Sequence, residues 1–409
     1  MNTPVVVLGG YQSDFARHLA REGREISDLV QETVHGTLQA AALAPSAVGS
    51  IHVGNAFGEL FTGQAHLGAM PATVEPQLWG VPAMRHEAAC ASGGLAVLSA
   101  MAEIEAGRYD CALVLGVEQQ RNVPGEVAAR HLGAAAWVGH EGQNCRYMWP
   151  HMFALLGDEY ERRYGLAHAH LMGIAEKNFA NARRNPYAQT RGWKFGPEAF
   201  AADEKANPVI EGRIRRQDCA QVTDGAAGLV LASARFAAEY ARHRGKDPAQ
   251  LPRILGWGHR TVGLPLAEKL RRSAAEPYVL PHVRQAILDA FARAGISGPE
   301  ALSGIETHDC FTVTEYMAID HFGLTAPGQS FRAIEDGRIT ADGSLPINPS
   351  GGLIGLGHPV GATGVRMVLD AARQVAGEAG ATQIAGARTF ATLNLGGSAT
   401  TVVSFVVGT

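Results

Sequence analysis

Short apolar runs alternate with segments of helical periodicity along the first part of the chain. Residues 5–8, 51–53 and 111–117 are apolar throughout, as expected for strands buried on both faces. Residues 28–43 and 93–106 repeat their apolar side chains every three or four positions, which predicts helices. The alternation indicates an α/β sheet with helices on both sides.

The same alternation returns in the second part of the chain. Predicted strands lie at residues 229–232, 254–257, 305–307, 389–393 and 400–407, and predicted helices at 282–294, 313–322 and 363–375. Each part places a glycine-rich loop directly before a helix. We interpret this as an internal duplication of one α/β unit.

The segment between the two parts has a different pattern. Residues 119–217 hold few apolar strand runs and collect tryptophan, histidine and arginine, which predicts a helical and looped insertion. The predicted organisation has three parts. They are an N-terminal half (residues 1–118 with 218–250), an inserted loop or lid domain (119–217) and a C-terminal half (251–409).

Composition excludes several classes of protein. The 409 residues are 46% hydrophobic and 18% charged, unlike a disordered chain. The net charge of −4 argues against nucleic acid as a partner. Residues 161–220 nevertheless carry 11 Lys or Arg against 7 Asp or Glu. That local excess suits an anionic ligand, or a solvated helix face.

The cysteines indicate the compartment. Five widely spaced cysteines without a Cys-x-x-Cys pair favour a reducing, cytoplasmic setting and argue against a structural zinc site, so no metal is expected. We expect no secretion signal, because the N-terminus lacks a basic leader. The uncharged stretches 343–365 and 389–409 are interrupted by Gly, Pro and Asn. They predict loops and strands, with no membrane span.

Cys90 is the first candidate for chemistry. It precedes the helix predicted at 93–106, and a helix N-terminus favours a thiolate. Its neighbours are Ala, Ser and Gly, which leave room for a bulky thioester. The alternative is an inert cysteine at a tight helix start.

Three further segments carry polar groups near predicted strand or helix ends. His358 lies between Gly and Pro after a glycine-rich loop, where it is a candidate base or a loop-capping residue. The motif His-Asp-Cys-Phe at 308–311 follows a short strand, where ligands gather in α/β sheets, or it is structural. Residues 394–398 predict a hairpin turn whose backbone N–H groups could also bind an anion. Together the segments supply a nucleophile, acid/base groups and N–H donors for thioester chemistry.

The chain resembles the thiolase family along nearly its whole length. The Cys90 loop, the lead-in at 348–352 and the Gly-His-Pro sequence around His358 occur in the family's order. The motif at 308–311 resembles the sterol-carrier-protein type in particular. Most other thiolases have Asn-Glu-Ala-Phe there and a cysteine in the last loop, where this chain has Asn394. Cys310 is therefore expected to be the second catalytic cysteine.

The resemblance implies a fold and a mechanism. The fold would be two duplicated α/β halves in a five-layer αβαβα arrangement, with an inserted loop domain. Cys90 would attack an acyl-CoA and pass its proton to His358, while the N–H groups of Cys90 and Gly396 hold the acyl oxygen. Cys310 would remove the α-proton of the second acyl-CoA, and His358 and His308, the latter through water, would stabilise the enolate oxygen.

The resemblance also implies ligands and partners. Coenzyme A and acyl-CoA would be substrates, with no cofactor bound permanently, and the chain would form a homodimer or a dimer of dimers. Arginines of the insertion could meet the CoA phosphates; they are Arg183, Arg184, Arg213, Arg215 and Arg216.

Four alternatives stay open at this point. The chain could be another enzyme of the same fold, such as a ketoacyl synthase or a hydroxymethylglutaryl-CoA synthase. It could be a retro-aldol lyase for β-hydroxyacyl-CoA, although such proteins tend to lose the nucleophilic cysteine. It could also be a subunit that needs a small partner with an oligonucleotide-binding fold, or a catalytically silent scaffold.

Overall fold

The computed structural model of the chain describes residues 5–409; residues 1–4 of the predicted N-terminal half lie outside the described residues. The strands are β1 (Val5–Gln12), β2 (Ser50–Gly54), β3 (Ala83–His86), β4 (Cys111–Glu118), β5 (Val209–Glu211), β6 (Ile214–Arg215), β7 (Gly225–Ala232), β8 (Arg253–Thr261), β9 (Gly304–Thr307), β10 (Thr389–Gly396) and β11 (Thr401–Gly408). The helices are α1 (Ile26–Ala41), α2 (Gly58–Thr62), α3 (Met70–Val74), α4 (Ser92–Glu105), α5 (Gly125–Gly133), α6 (Met148–Tyr164), α7 (His168–Arg184), α8 (Ala234–His243), α9 (Leu266–Arg272), α10 (Pro281–Ala294), α11 (Thr312–Phe322), α12 (Ser330–Glu335) and α13 (Thr363–Ala376).

The sheet topology repeats itself. Among residues 5–409, nine strands form one sheet in the order β3-β2-β4-β7-β1-β8-β11-β10-β9. In the first half β2 is parallel to β3 and β4, and β7 is antiparallel to β4 and β1. In the second half β9 is parallel to β10 and bridges in parallel to Ile347, and β11 is antiparallel to β10 and β8. The predicted α/β duplication is confirmed.

Helices α4 and α13 form a central layer between the strands of the two halves. Strands β1 and β8 share two residue pairs, Val5 with Ile254 and Val6 with Arg253, and this short pairing joins the halves. One core packs α4 and α13 against strands of both halves. A second core covers the first half with α1 and α8, and a third covers the second half with α10 and α11. The order of layers is therefore helix, sheet, helix, sheet, helix.

The two central helices meet through glycine. A Cβ on Gly93 of α4 would lie 2.7 Å from the carbonyl oxygen of Gly361 and 2.9 Å from the nitrogen of Val365. A Cβ on Gly364 of α13 would overlap the backbone nitrogen of Gly94. Any larger side chain would push the two helix starts apart, so glycine is required for this close approach.

The segment between β4 and β7 holds α5, α6, α7 and the small hairpin β5–β6. Buried side chains of α6 and α7, among them Phe153, Tyr160 and Phe179, share a core with α10 and α11 of the second half. The inserted segment thus packs on the C-terminal half. The exact domain boundaries stay a prediction. Within residues 5–409, every helix is too short or too polar to cross a membrane.

Replacing Gly364 with alanine should lower stability even though alanine is the better helix former. The added methyl would overlap α4 backbone, which cannot swing aside as a flexible side chain could. We expect a loss of about 1–3 kcal/mol, which exceeds the gain of about 1 kcal/mol in helix propensity. The measurement is the thermal unfolding midpoint.

Gly173 of α7 offers the matched control. A Cβ there would meet the side chain of Ile334 at 3.4 Å, an ordinary contact. Gly173→Ala should therefore leave the unfolding midpoint unchanged or raise it. Equal effects of the two substitutions would contradict the glycine contact as the constraint.

Candidate active site

Cys90 lies in a turn just before α4. Ala89 has a left-handed backbone with φ of +50°, and Ala91 is the N-cap of the helix. The side chain of Asn394, from the end of β10, donates to the carbonyl oxygen of Cys90 at 2.9 Å. The last loop of the second half therefore holds the cysteine loop of the first half in place.

His308 and Cys310 follow the carboxyl end of β9. Phe311 is the N-cap of α11, so the motif at 308–311 links strand to helix. The backbone of Phe311 bridges to that of Cys219, and the ring of Phe311 stacks on Phe153 of α6 at 4.7 Å. These contacts hold the Cys310 loop against α6 of the insertion and against the segment before β7.

His358 lies between a π-helical turn (Gly352–Leu356) and α13. Gly357 has a φ of +128°, which glycine alone adopts readily. The backbone N–H of His358 donates to Thr223 Oγ1 at 2.9 Å. The loops of β9 and α13 thereby bring the rings of His308 and His358 to a centroid distance of 5.3 Å, almost perpendicular.

The structure brings the four predicted catalytic side chains together. The Cys90 sulfur and one ring nitrogen each from His308 and His358 lie within 4.8 Å of one another. Cys90, Cys310 and His358 also line one cavity of about 330 Å³, and the His308 ring lies against that of His358. The rest of the wall is mainly apolar and includes Phe57, Leu132, Tyr147, Met148, Trp149 and Phe153.

The sequence matches the models of two domains that belong to one protein family. The model "Thiolase, N-terminal domain" matches residues 5–193, and the model "Thiolase C-terminal domain-like" matches residues 267–409. The chain is 30% identical to acetyl-CoA acetyltransferase of Methanothermobacter thermautotrophicus, over 96% of each protein. The chain belongs to the thiolase family. It is also 29% identical to human sterol carrier protein 2, over 99% of this chain and 72% of that protein.

Solved structures show the same fold. Human mitochondrial 3-ketoacyl-CoA thiolase in complex with CoA superposes with a TM-score of 0.71 at 15% identity, covering 100% of this chain and 98% of that one. The Ltp2-ChsH2(DUF35) aldolase gives a TM-score of 0.75 at 19% identity, covering 99% and 97%. The expected thiolase fold is confirmed.

In this thiolase burial favours the protonated thiol at both cysteines. Burial raises the pKa of Cys90 to about 12, although the backbone amide of Gly397 and local backbone groups lower it. Burial also raises the pKa of Cys310 well above its usual value, and the nearby Cys90 and Asp309 add to the effect. The sequence favours a thiolate at the start of α4, whereas burial of Cys90 raises its pKa and favours the protonated thiol.

The histidines of this thiolase are neutral. Burial lowers the pKa of His358 to about 3, and the Arg366 guanidinium lowers it further. Burial, His358 and Arg366 hold the pKa of His308 well below its usual value. A neutral imidazole has a free lone pair, so either ring can accept a proton or a hydrogen bond.

Thr363 sets the tautomer of His358. The Thr363 hydroxyl donates to the carbonyl oxygen of Pro359 at 3.0 Å, so its oxygen accepts from His358 Nδ1–H at 2.7 Å. The proton then sits on Nδ1, and the lone pair of Nε2 is left free for the cavity. The sequence analysis missed Thr363, since nothing local marks it beyond its place five residues after His358.

Buried carboxyl groups hold the loops around the site. Glu118, at the end of β4, accepts from the backbone N–H groups of Ala56, Phe57 and Gly361, and its pKa is raised by burial to about 7. Asp309 accepts from the N–H groups of Leu353 and Ile354. Glu118 was missed by the sequence analysis, although a charged residue ending a wholly apolar strand is a usable signal.

The amide next to the predicted backbone donor contacts the Cys90 sulfur. Gly396 ends β10, and the amide that faces the Cys90 sulfur is that of Gly397, which also lines the cavity. A role for Gly396 in binding the acyl oxygen stays a prediction.

The five predicted arginines are dispersed. Arg216 lines the cavity. The other four contact groups elsewhere: Arg183 stacks over Phe195, Arg184 donates to the carbonyl oxygen of Ala381, Arg213 pairs with Asp158 and Glu161, and Arg215 pairs with Glu204. The geometry therefore favours Arg216 for a ligand that enters this cavity.

Thr363→Val should lower the reactivity of the Cys90 thiol. Valine has nearly the same shape but cannot accept from Nδ1–H, so the ring can move its proton to Nε2 and lose the base that faces Cys90. We expect the rate of Cys90 alkylation by iodoacetamide to fall about 10- to 100-fold. The rate is measured by mass spectrometry of the Cys90 peptide.

Thr363→Ser is the matched variant, because it keeps the hydroxyl. It should restore most of the alkylation rate and its pH profile. An unchanged rate in a well-folded Thr363→Val protein would show that Thr363 does not set the tautomer.

Proposed function

We propose that this thiolase transfers acyl groups through an acyl-Cys90 intermediate, cleaving 3-ketoacyl-CoA with CoA or condensing two acyl-CoAs. The convergence of Cys90, His308, His358 and Cys310 at one apolar cavity carries the proposal. The acyltransferase class follows from family membership and from relatives named acetyl-CoA acetyltransferase.

In the first step Cys90 becomes acylated. Its thiol gives a proton to His358 Nε2, and the sulfur attacks the carbonyl carbon of the substrate. With a simple thioester the C–S bond breaks, and CoA leaves with the proton held by His358. The N–H groups of Cys90 and Gly396 stabilise the oxyanion, and the Gly397 amide beside the sulfur supports a donor role for this loop.

Cys310 transfers the α-proton in both directions of the reaction. In the cleavage direction Cys90 attacks the 3-keto carbon, the C–C bond breaks, and the Cys310 thiol protonates the carbanion that leaves as acyl-CoA. The sulfur of the incoming CoA then attacks the acyl-Cys90 and breaks its C–S bond. The CoA thiol proton returns to Cys310, and the proton held by His358 returns to the Cys90 sulfur. In the condensation direction the flow reverses, and Cys310 takes the α-proton. The raised pKa of Cys310 supports the cleavage direction, in which the thiol holds the proton that it donates. His308 and His358 stabilise the enolate oxygen.

The remaining expectations concern ligands and setting. Coenzyme A and acyl-CoA are substrates, with no permanently bound cofactor, and we propose a homodimer or a dimer of dimers. The mainly apolar cavity wall fits an acyl chain and a pantetheine arm. Five free cysteines support a reducing compartment such as the cytoplasm.

Cys310→Ala should separate the two steps. Incubation with acetyl-CoA should leave an acyl group on the Cys90 peptide in both the wild type and Cys310→Ala, whereas turnover of the variant should fall about 10²- to 10⁴-fold. Mass spectrometry detects the adduct, and acetoacetyl-CoA cleavage measures turnover.

Cys145→Ala is the matched control, because this cysteine is half-buried outside the catalytic cavity. It should keep both acylation and turnover. A wild type that forms no adduct with short, branched or aromatic acyl-CoAs would overturn the mechanism, and so would full turnover without Cys310.

Arg216→Ala should weaken CoA binding. The Arg216 guanidinium lines the cavity and has no ion pair with another described residue, so it can meet a phosphate at the entrance. We expect KM for CoA to rise about fivefold at unchanged kcat, because an exposed ion pair contributes about 1 kcal/mol to binding. Steady-state kinetics measure it.

Arg235, on α8 and paired with Asp110, is the control for this substitution. Arg235→Ala should leave KM for CoA unchanged. Equal KM values in the wild type and Arg216→Ala would show that Arg216 does not contact a CoA phosphate.

A second candidate is a retro-aldol lyase for β-hydroxyacyl-CoA, alone or with an oligonucleotide-binding-fold partner. The likeness to the Ltp2-ChsH2(DUF35) aldolase favours it at the level of fold. A lyase would release an aldehyde or ketone without CoA and without Cys90. Thiolysis by the purified chain that depends on Cys90 would exclude both the lyase and an obligate partner.

A further inference from the structure

The catalytic cluster has the composition of a zinc site. The Cys90 sulfur and one ring nitrogen each from His308 and His358 lie within 4.8 Å of one another. Thiolate and neutral imidazole are the ligands that Zn²⁺ prefers in proteins. The acyl-transfer mechanism does not use a metal, so this property is separate from it.

Both histidines present a buried nitrogen without a partner. The Nε2 atoms of His308 and His358 have no hydrogen-bond partner among residues 5–409. The two residues are 1% and 8% exposed, so these atoms lie in the protein interior. A buried ring nitrogen without a hydrogen-bond partner is costly unless something binds it.

The geometry needs little adjustment. Zn–S of about 2.3 Å and Zn–N of about 2.0–2.1 Å place tetrahedral ligands about 3.5 Å apart. The ring of His358 is already fixed through Thr363, whereas the Cys90 side chain is partly exposed to the cavity and can rotate. The cavity beside Cys90 leaves room for water as the fourth ligand.

The tautomers are compatible with metal binding. His358 has its proton on Nδ1, so Nε2 is ready to bind. Binding through His308 Nε2 requires the proton of that ring on Nδ1. The contact of Asn394 Nδ2 with that atom is 3.5 Å, the longest a hydrogen bond allows, so little is lost when the proton moves.

We propose that the unacylated enzyme binds one Zn²⁺ ion through Cys90, His308 and His358, which reversibly blocks the nucleophile. On binding, the S–H bond of Cys90 breaks, a Zn–S bond forms and the proton goes to solvent. Acylation of Cys90 removes the thiolate ligand and excludes the metal. Zinc and acyl-CoA therefore compete for the free enzyme.

The test uses the metal alone. Purified reduced protein without chelator is titrated with Co²⁺, whose thiolate charge-transfer and tetrahedral ligand-field bands report the ligands, and Zn²⁺ is added to displace it. We expect one equivalent bound. Cys90→Ala should lose the charge-transfer band, and His308→Gln should weaken binding by about 100-fold. Cys219→Ser, which changes a cysteine lining the same cavity outside the cluster, should bind as the wild type does.

The outcomes are separable from those of the acyl-transfer mechanism, because the titration needs no substrate. Cobalt bands that persist in Cys90→Ala, or that vanish in Cys219→Ser, would overturn the proposed ligand set. Absence of any bound equivalent in the wild type would overturn the site. Prior incubation with acetyl-CoA should slow metal uptake; equal uptake by an enzyme shown to be acylated would refute the competition.

Discussion

The whole site depends on a close approach between two helix starts. Gly93 of α4 and Gly364 of α13 allow backbone to touch backbone in the central layer. Gly116 of β4 joins the same contact, since a Cβ there would lie 2.5 Å from the carbonyl oxygen of Gly361. The contact places the loop before α4 next to the loop before α13. The first loop carries Cys90 and the second carries His358. A duplicated fold thus produces an unduplicated site, because each half supplies a different reactive group at an equivalent position.

Burial then determines the chemistry of those groups. Burial favours the uncharged forms of the Cys90 thiol and the His358 imidazole over a thiolate–imidazolium pair. Charge must develop when substrate arrives, at a point where N–H donors and neutral histidines are already in position. Such preorganised groups stabilise a developing oxyanion more strongly in a dry site than in water.

Much of the fold could be predicted from local pattern. Strands β4, β7 and β11 are apolar along nearly their whole length because helices cover both faces, and the glycine-rich loops mark Cys90 and His358. Strand β3 had no such signal, since its residues are short of apolar side chains and partly exposed at the sheet edge. Glu118 binds loops that are distant in sequence, Thr363 acts through the tautomer of His358, and the raised pKa of Cys90 depends on its burial in the folded chain. Properties of that kind need the tertiary structure.

The contact between Asn394 and Cys90 joins residues 304 positions apart. During synthesis the cysteine loop emerges long before the strand that fixes it, and the antiparallel pair β10–β11 completes the second half last. Pairings of such sequence separation form late, because the chain between them must first be ordered. A growing chain therefore carries an exposed but unsupported Cys90, and competence for acyl chemistry arises only as the final strands dock.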